Sequence, residues 1–280
     1  MEKAIKRYFP IFVLPTMIAF TLGFISPFAE GVYLSFCKFT TVNDAKFIGL
    51  SNYGKVFKDS TFVHAFWYTA AFTVVSVILI NVLAFAVALL LTKGIKGTNV
   101  FRTVFFMPNL IGGIVLGYIW QLLLNGILMK FSRTLTYSST FGFWGLVILM
   151  CWQQIGYMMI IYIAGIQNIP GELIEAAEID GATKRQVLKS VTIPMVMPSI
   201  TVCTFLTLTN SFKLFDQNLA LTNGEPSKMS EMLALNIFNT FYGRAGYEGV
   251  GQAKAVIFFI LVAAIALTQN YLTRRKEVQQ

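Results

Sequence analysis

The stretch Glu175-Ala176-Ala177-Glu178-Ile179-Asp180-Gly181-Ala182, running on to Val191-Thr192-Ile193-Pro194, decides how this chain is read. It is charged and water-loving, yet it lies between two long apolar runs, residues 143–166 and 200–221. A chain that spends so few residues on water is expected to use such a segment to touch something soluble. Of the 280 residues 56% are hydrophobic and only 12% charged, and the mean hydropathy is +0.66. A soluble domain of this size has too little interior to hide that much apolar surface. Lipid tolerates apolar faces all round a helix, so an integral membrane protein is expected.

Working outward, six runs reach the roughly 20 apolar residues that a bilayer crossing needs. They are residues 9–28, 66–91, 104–124, 143–166, 200–221 and 255–272. The expected fold class is all-α: a bundle of six transmembrane helices forming a single transmembrane domain over residues 1–280, with 168–192 as a polar loop. The first run follows Lys3, Lys6 and Arg7 and superficially has the form of a signal peptide. Its apolar core is too long and no small-x-small cleavage site follows, so an anchored helix is expected.

The balance of 22 Lys+Arg against 13 Asp+Glu gives a net charge of +9. The basic residues gather at span ends, which makes topology a better explanation than nucleic acid. They fall at Lys3, Lys6 and Arg7; at Lys93, Lys96 and Arg102; at Lys184, Arg185 and Lys189; and at Arg274, Arg275 and Lys276. With six spans all four clusters share one side, and the positive-inside rule makes that side the cytoplasm. Both termini and the 168–192 loop are then cytoplasmic. The opposite loops carry Lys38, Lys46, Lys55 and Lys58, diluted over longer segments.

The loop has its own punctuation. Pro170 stops the preceding span and suits the first turn of a new helix. Glu172, Glu175 and Glu178 lie near that helix's positive end. Leu173, Ile174 and Ala177 form a modest apolar stripe. Ala176 and Ala177 keep the helix slim, and Asp180-Gly181 ends it. A second short helix is expected over Ala182–Ser190, with Val187 and Leu188 as its apolar side. Pro194 and Pro198 start and bend the next span. Two readings fit these residues: a hairpin lying on anionic lipid through Lys184, Arg185 and Lys189, or a knob for a groove on a cytosolic partner. Glu172, Glu175, Glu178 and Asp180 suit the second better.

At this point the residues resemble a family. Glu175-Ala176-Ala177, Gly181 and Ile193-Pro194 are similar to the EAA loop of ABC importer permeases, with Val191 and Ile193 standing where Ile and Leu are usual. Three further segments resemble the carbohydrate branch of that family: Phe101-Arg102-Thr103-Val104-Phe105-Phe106-Met107-Pro108, Gly49-Leu50-Ser51-Asn52-Tyr53 and Leu221-Thr222-Asn223-Gly224-Glu225-Pro226. The match to the family covers almost the whole chain. The similar type is the larger permease of the maltose importer, without its extra helices and large periplasmic insertion. The resemblance implies an ABC type I importer transmembrane domain in the bacterial cytoplasmic membrane. It implies four kinds of neighbour: a second permease, two cytosolic ABC ATPase subunits, an extracellular sugar-binding protein and the lipid bilayer. Glu175, Ala176, Ala177, Asp180 and Gly181 would couple to the ATPase. ATP and Mg would be used by that partner, with no cofactor bound by this chain, which has no P-loop motif of its own.

Polar side chains within a span are costly, so clusters of them invite a functional reading. Trp152, Gln153, Gln154 and Tyr157 form one; Thr207, Thr209, Asn210 and Ser211 form another, with Trp120-Gln121 a weaker candidate. The positions matching the sugar-lining residues of maltose-type permeases are Cys151, Gln153, Gln154, Tyr157, Thr207, Asn210, Ser211 and Leu214. Only Tyr157 is retained in type, which points to a sugar other than maltose. The substrate-pathway candidates are therefore Trp152, Gln153, Gln154, Tyr157, Thr207, Asn210 and Ser211. The opposing reading is that such residues bond helix to helix. Lys213 and Asp216 are expected to lie in water at the end of span five.

Other classes fit less well. An enzyme needs paired carboxylates, His clusters or an activated nucleophile. Glu30, Asp216 and His64 stand alone, and Cys37, Cys151 and Cys203 form no CxxC. An ATPase-independent channel or carrier is expected to show buried charges or broken, repeated helices, and neither is evident in the sequence. A phosphorylated polyol such as glycerol 3-phosphate is the runner-up substrate. It would want an Arg or Lys facing the cavity, and spans four and five offer none at mid-depth.

Overall fold

A computed structural model describes residues 2–274. Arg275 and Lys276, and the side chains of Lys3, Lys6, Arg7 and Arg274, lie outside the described residues. The described residues are almost wholly helical. In chain order the α-helices are α1 Glu2–Phe20, α2 Ser26–Leu34, α3 Ser51–Lys58, α4 Ser60–Leu91, α5 Thr98–Phe106, α6 Gly113–Leu128 and α7 Ser139–Gln167. They continue as α8 Gly171–Ile179, α9 Lys184–Val187, α10 Ile193–Met195, α11 Met197–Phe212, α12 Asp216–Leu221, α13 Leu233–Gly243 and α14 Glu248–Arg274. Five helical stretches among the described residues are long and apolar enough to cross a membrane, and six if one bent pair is a single span.

The six expected runs are all found, with changed ends. The first extends to Ile11–Leu34, through a π-helical turn at Thr21–Ile25 that joins α1 to α2. The second and fourth begin earlier, at Ser60 and Ser139, and the sixth at Glu248. Two spans need larger correction. The expected third span, 104–124, begins inside α5; the chain breaks over Met107–Gly112 before α6 starts at Gly113. The expected fifth span, 200–221, is continuous only to Phe212, after which residues 213–215 break it before α12. At the other end of α11 the helix bends by 68° between Met195 and Met197. Pro194 and Pro198 flank that bend, and Pro198 has no N–H to give to the preceding turn. Broken helices are thus present where hydropathy gave continuous spans; Pro108, Asn109 and Gly112 mark the first break locally, and a hydropathy window does not register them.

The chain divides into two compact units, Met1–Ser60 with Ile237–Ile260, and Thr61–Asn236 with Leu261–Gln280. In the first, strands β1 (Cys37–Lys38) and β2 (Lys46–Phe47) pair antiparallel, Cys37 facing Phe47 and Lys38 facing Lys46. Thr41 and Asp44 close the hairpin as a capping box. The backbone N–H groups of Thr40 and Thr41 donate to Asp44, at 2.9 and 3.0 Å, and hold its carboxyl below the usual range. Asn52, buried, donates to the carbonyls of Ser35 and Cys37 at 2.9 and 2.8 Å. The Gly49–Tyr53 segment is therefore a backbone staple, with Gly49 supplying a positive φ of 62°. Lys254 on α14 is fully buried and pairs with Asp59 at 2.8 Å, also donating to Thr240 at 2.8 Å.

The second unit holds the main core. Phe72, Ile80, Leu116, Leu146, Met158 and Tyr162 are among its fully buried members. A polar link crosses it: Tyr162 donates to Asn81 at 2.7 Å, and Asn81 reaches Thr207 at 3.4 Å. Gly156 on α7 lies against the backbone of α5, where a Cβ would overlap the Phe105 carbonyl and stand 2.7 Å from the Phe106 nitrogen. The Phe101–Pro108 segment is thus pinned by a missing side chain. The Leu221–Pro226 segment is held by Asn218, whose side chain donates to the Ser230 carbonyl at 2.8 Å and accepts from the Met232 N–H at 2.9 Å.

Candidate functional site

Two places in the second unit gather the expected site residues. The first is the loop after α7. Pro170 stands just outside α8 rather than in its first turn, and α8 opens at Gly171 with Glu172 near its positive end. The helix ends as the sequence requires. Gly181 takes φ +79°, its N–H bonds the Glu178 carbonyl at 3.0 Å, and the Ala182 N–H bonds the Ala177 carbonyl at 2.9 Å. This paired closure satisfies carbonyls that would otherwise be orphaned. Thr183 and Gln186 then form a capping box that starts α9. The expected second helix over Ala182–Ser190 is shorter, Lys184–Val187, and passes into a π-helical turn over Leu188–Thr192.

Ile174, half-buried, packs against the main core and Val187 is buried, so one side of this helical hairpin is anchored. Leu173, expected on the apolar stripe, is exposed instead. Glu175, Ala176, Asp180 and Gly181 are exposed and Ala177 half-buried. A cavity of about 310 Å³ opens between the two arms, lined by Ala177, Asp180, Gly181, Ala182, Gln186, Val187, Ser190 and Val191. Ile179 is 86% exposed. Sequence reasoning passed over this residue; the signal was a large apolar side chain between the acids Glu178 and Asp180 on a water-facing turn.

The second place is a cavity of about 490 Å³ lined by Asn109, Met150, Gln153, Gln154, Asn210, Lys213, Leu214, Phe215, Asp216 and Gln217. It forms at the two helix breaks, 107–112 and 213–215. Irregular backbone at membrane depth is tolerated where it lines a cavity. Of the pathway candidates, Gln153, Gln154 and Asn210 meet here. Trp152 stacks edge-on to Trp120 at 5.5 Å, and Tyr157 lies 6.4 Å from the Phe106 ring. Thr207 is fully buried and bonds the Cys203 carbonyl at 2.7 Å, which makes it a helix-packing group. Ser211 is fully buried, and its hydroxyl has no partner. Gln121, the weaker candidate, donates to the Leu221 carbonyl at 3.1 Å.

Lys213 and Asp216 line the cavity rather than merely facing water, and Asn109 and Gln217 join them. Nothing in the helical periodicity announces these four, because they belong to the breaks or adjoin them. Gln217 donates to the Gln153 oxygen at 2.8 Å, and Gln153 donates to the Ile111 carbonyl at 3.4 Å. The Gln154 oxygen is buried without a partner. Such an acceptor costs about 1–3 kcal/mol. A cavity with neutral amides and one charge of each sign is suited to a neutral, hydroxyl-rich ligand.

Residues 84–278 match the family described as binding-protein-dependent transport system inner membrane component. The chain belongs to that family. It is a multi-pass membrane protein by its helices and by this membership. Members similar to it along nearly their whole length include the probable starch degradation products transport system permease protein AmyD of Thermoanaerobacterium thermosulfurigenes. That protein is 43% identical over 96% of this chain and 94% of its own. The trehalose/maltose transport system permease protein MalF of Thermococcus litoralis is 28% identical over 92% and 90%. In fold, the chain is similar to a solved chain of a bacterial ABC transporter involved in the import of the acidic polysaccharide alginate. Their TM-score is 0.82, with 21% identity and 98% of each chain covered. The all-α membrane bundle is thus that of an ABC importer transmembrane domain.

Proposed function

We propose that this chain is the permease subunit of an ATP-driven ABC importer that carries a neutral sugar or oligosaccharide across the bacterial cytoplasmic membrane. The observation that carries the reading is the helical hairpin over residues 171–192. It is anchored by Ile174 and Val187, and it leaves Glu175, Ala176, Asp180 and Gly181 open to a soluble partner. Lys184, Arg185 and Lys189 are exposed as well, and the acids Glu172, Glu175, Glu178 and Asp180 beside them suit a soluble partner better than anionic lipid. Relatives named for starch degradation products and trehalose/maltose support a carbohydrate, and α-glucan fragments longer than maltose are the first to try.

In this reading residues 1–280 act as a single transmembrane domain, with both termini and the hairpin in the cytoplasm. A second permease completes the pathway, an extracellular binding protein delivers the sugar, and two cytosolic ABC ATPase subunits drive the cycle. ATP and Mg belong to the ATPase, not to this chain. Glu175 is the polar contact; Ala176 and Ala177 allow close approach; Asp180 and Gly181 shape the turn. Closure of the ATPase pair moves the hairpin, and the bend at Val196 passes that motion to α11. The cavity at Gln153, Gln154 and Asn210 lies on the sugar pathway. Among the described residues that line this cavity, Lys213 is the cation that would suit a phosphorylated polyol, and Asp216 on the same cavity offsets its charge.

The test is gentle extraction of tagged wild type and Glu175→Lys from native membranes. Recovery of a second permease and an ATPase, with the ATPase weakened in Glu175→Lys, is expected. Recovery of this chain alone in both samples would return the hairpin to the lipid surface and reopen the channel or carrier reading.

A further inference from the structure

We propose that Gln217 is a positioning residue for sugar specificity: its amide holds Gln153 as a fixed part of the cavity wall and leaves Gln154 as the group that accepts a sugar hydroxyl. This rests on the cavity being part of the sugar pathway.

Gln153 and Gln154 are adjacent and both line the cavity, yet their states differ. Gln153 is occupied at both ends of its amide: its oxygen accepts from Gln217 at 2.8 Å and its nitrogen donates to the Ile111 carbonyl at 3.4 Å. One side chain thereby ties the break before α6, the middle of α7 and the start of α12. Gly113 makes the approach possible, since a Cβ there would stand 2.7 Å from the Asp216 Cβ and 3.1 Å from the Gln217 amide carbon. A side chain committed in this way is wall, not ligand contact. Gln154 is only 8% exposed, and its oxygen has no partner. A buried acceptor left open is costly, and the arrangement is completed when a donor arrives. The terminal torsion of a Gln amide is broad, so the oxygen turns toward an entering group at small cost. A sugar hydroxyl donates to an amide oxygen, which an ionised carboxylate or phosphate cannot do. The open Gln154 oxygen therefore favours a ligand that brings hydroxyl donors.

The complete importer, with its ATPase and binding protein in proteoliposomes, is assayed for uptake of neutral oligosaccharides, maltotetraose first. Gln154→Met is expected to raise KM about tenfold with little change in kcat, the effect of one lost hydrogen bond made equally in ground and transition states. Gln217→Met is expected to raise KM several-fold, about as Gln153→Met does. The Gln153→Met/Gln217→Met pair should be no worse than Gln153→Met alone, because Gln217 acts only through Gln153. Gln217→Asn, which keeps a donor, serves if Gln217→Met fails to insert. A Gln217→Met protein with lowered Tm and kcat but wild-type KM would reduce Gln217 to a packing residue and overturn the inference. So would an unchanged KM in Gln154→Met. If wild type imports no neutral oligosaccharide, the functional reading itself fails, and this inference fails with it.

Discussion

Gly181→Ala isolates one cost in the coupling hairpin. Gly181 holds φ at +79°, and no heavy atom outside its immediate neighbours lies within 4 Å of where a Cβ would stand. The alanine methyl therefore meets open space, and the only penalty is the left-handed backbone, about 1–2 kcal/mol for an L-residue. The turn has one way to escape that strain, which is to open. Opening releases the Gly181-to-Glu178 and Ala182-to-Ala177 hydrogen bonds, at about 0.5–1.5 kcal/mol each. The two routes cost about the same, so both are populated. A loss of 1–2 kcal/mol raises the open fraction roughly 5–30-fold. Hydrogen exchange over residues 171–192, measured on the protein in lipid nanodiscs, should show that acceleration at the Ala182 amide. Gly171→Ala is the matched control: its surroundings are equally open, and its φ is not in the left-handed region. It should exchange at the wild-type rate or more slowly, since alanine favours helix. In the assembled importer, uptake per ATP hydrolysed should fall for Gly181→Ala and hold for Gly171→Ala. If Gly181→Ala exchanges and transports as Gly171→Ala does, the turn does not need its left-handed glycine, and the rigid-hairpin account of coupling is wrong.

Four further outcomes are expected. Gly156→Ala places a methyl on the Phe105 carbonyl, where backbone rather than a flexible side chain must yield; the loss should reach or pass the roughly 1–3 kcal/mol usual for overpacking, read as a drop in Tm in detergent. Gly165→Ala meets chiefly the Ser199 side chain and should cost less. Lys254→Met leaves Asp59 without its buried ion-pair partner, and thermal unfolding should register a loss below the roughly 3–5 kcal/mol of a fully buried pair, because Asp59 keeps some solvent contact, at 17% exposure; adding Asp59→Asn should recover part of it. The Asp44 carboxyl, lowered from 3.8 by the Thr40 and Thr41 N–H groups, stabilises the hairpin fully above that ordinary value. Its contribution fades as pH falls through the lower folded-state pKa, and a carboxyl NMR titration should place that midpoint below the midpoint of an unfolded peptide.

What the sequence alone determined is whatever follows from hydropathy and from local turn chemistry. Six apolar runs located the spans because lipid demands long apolar helices wherever they stand. The end of α8 at Gly181 and the bend between Pro194 and Pro198 were legible because each is decided by the φ preference or missing N–H of a single residue. The family segments were legible as strings, but their physical roles were not: Asn52 closing on Ser35 and Cys37, and Gly156 admitting Phe105, are long-range contacts. The sorting of the polar span residues belonged wholly to the tertiary structure. Thr207 and Gln153 read alike along the chain, yet one is committed to a helix carbonyl and the other to a cavity wall. The break at 213–215 lies in a stretch that passes for helix, whereas the break at 107–112 carries Pro108, Asn109 and Gly112, local signals that hydropathy alone passes over. The Ile111 carbonyl in the first break is satisfied by Gln153, far away in sequence, so the packed chain decides which side chains meet in the gap.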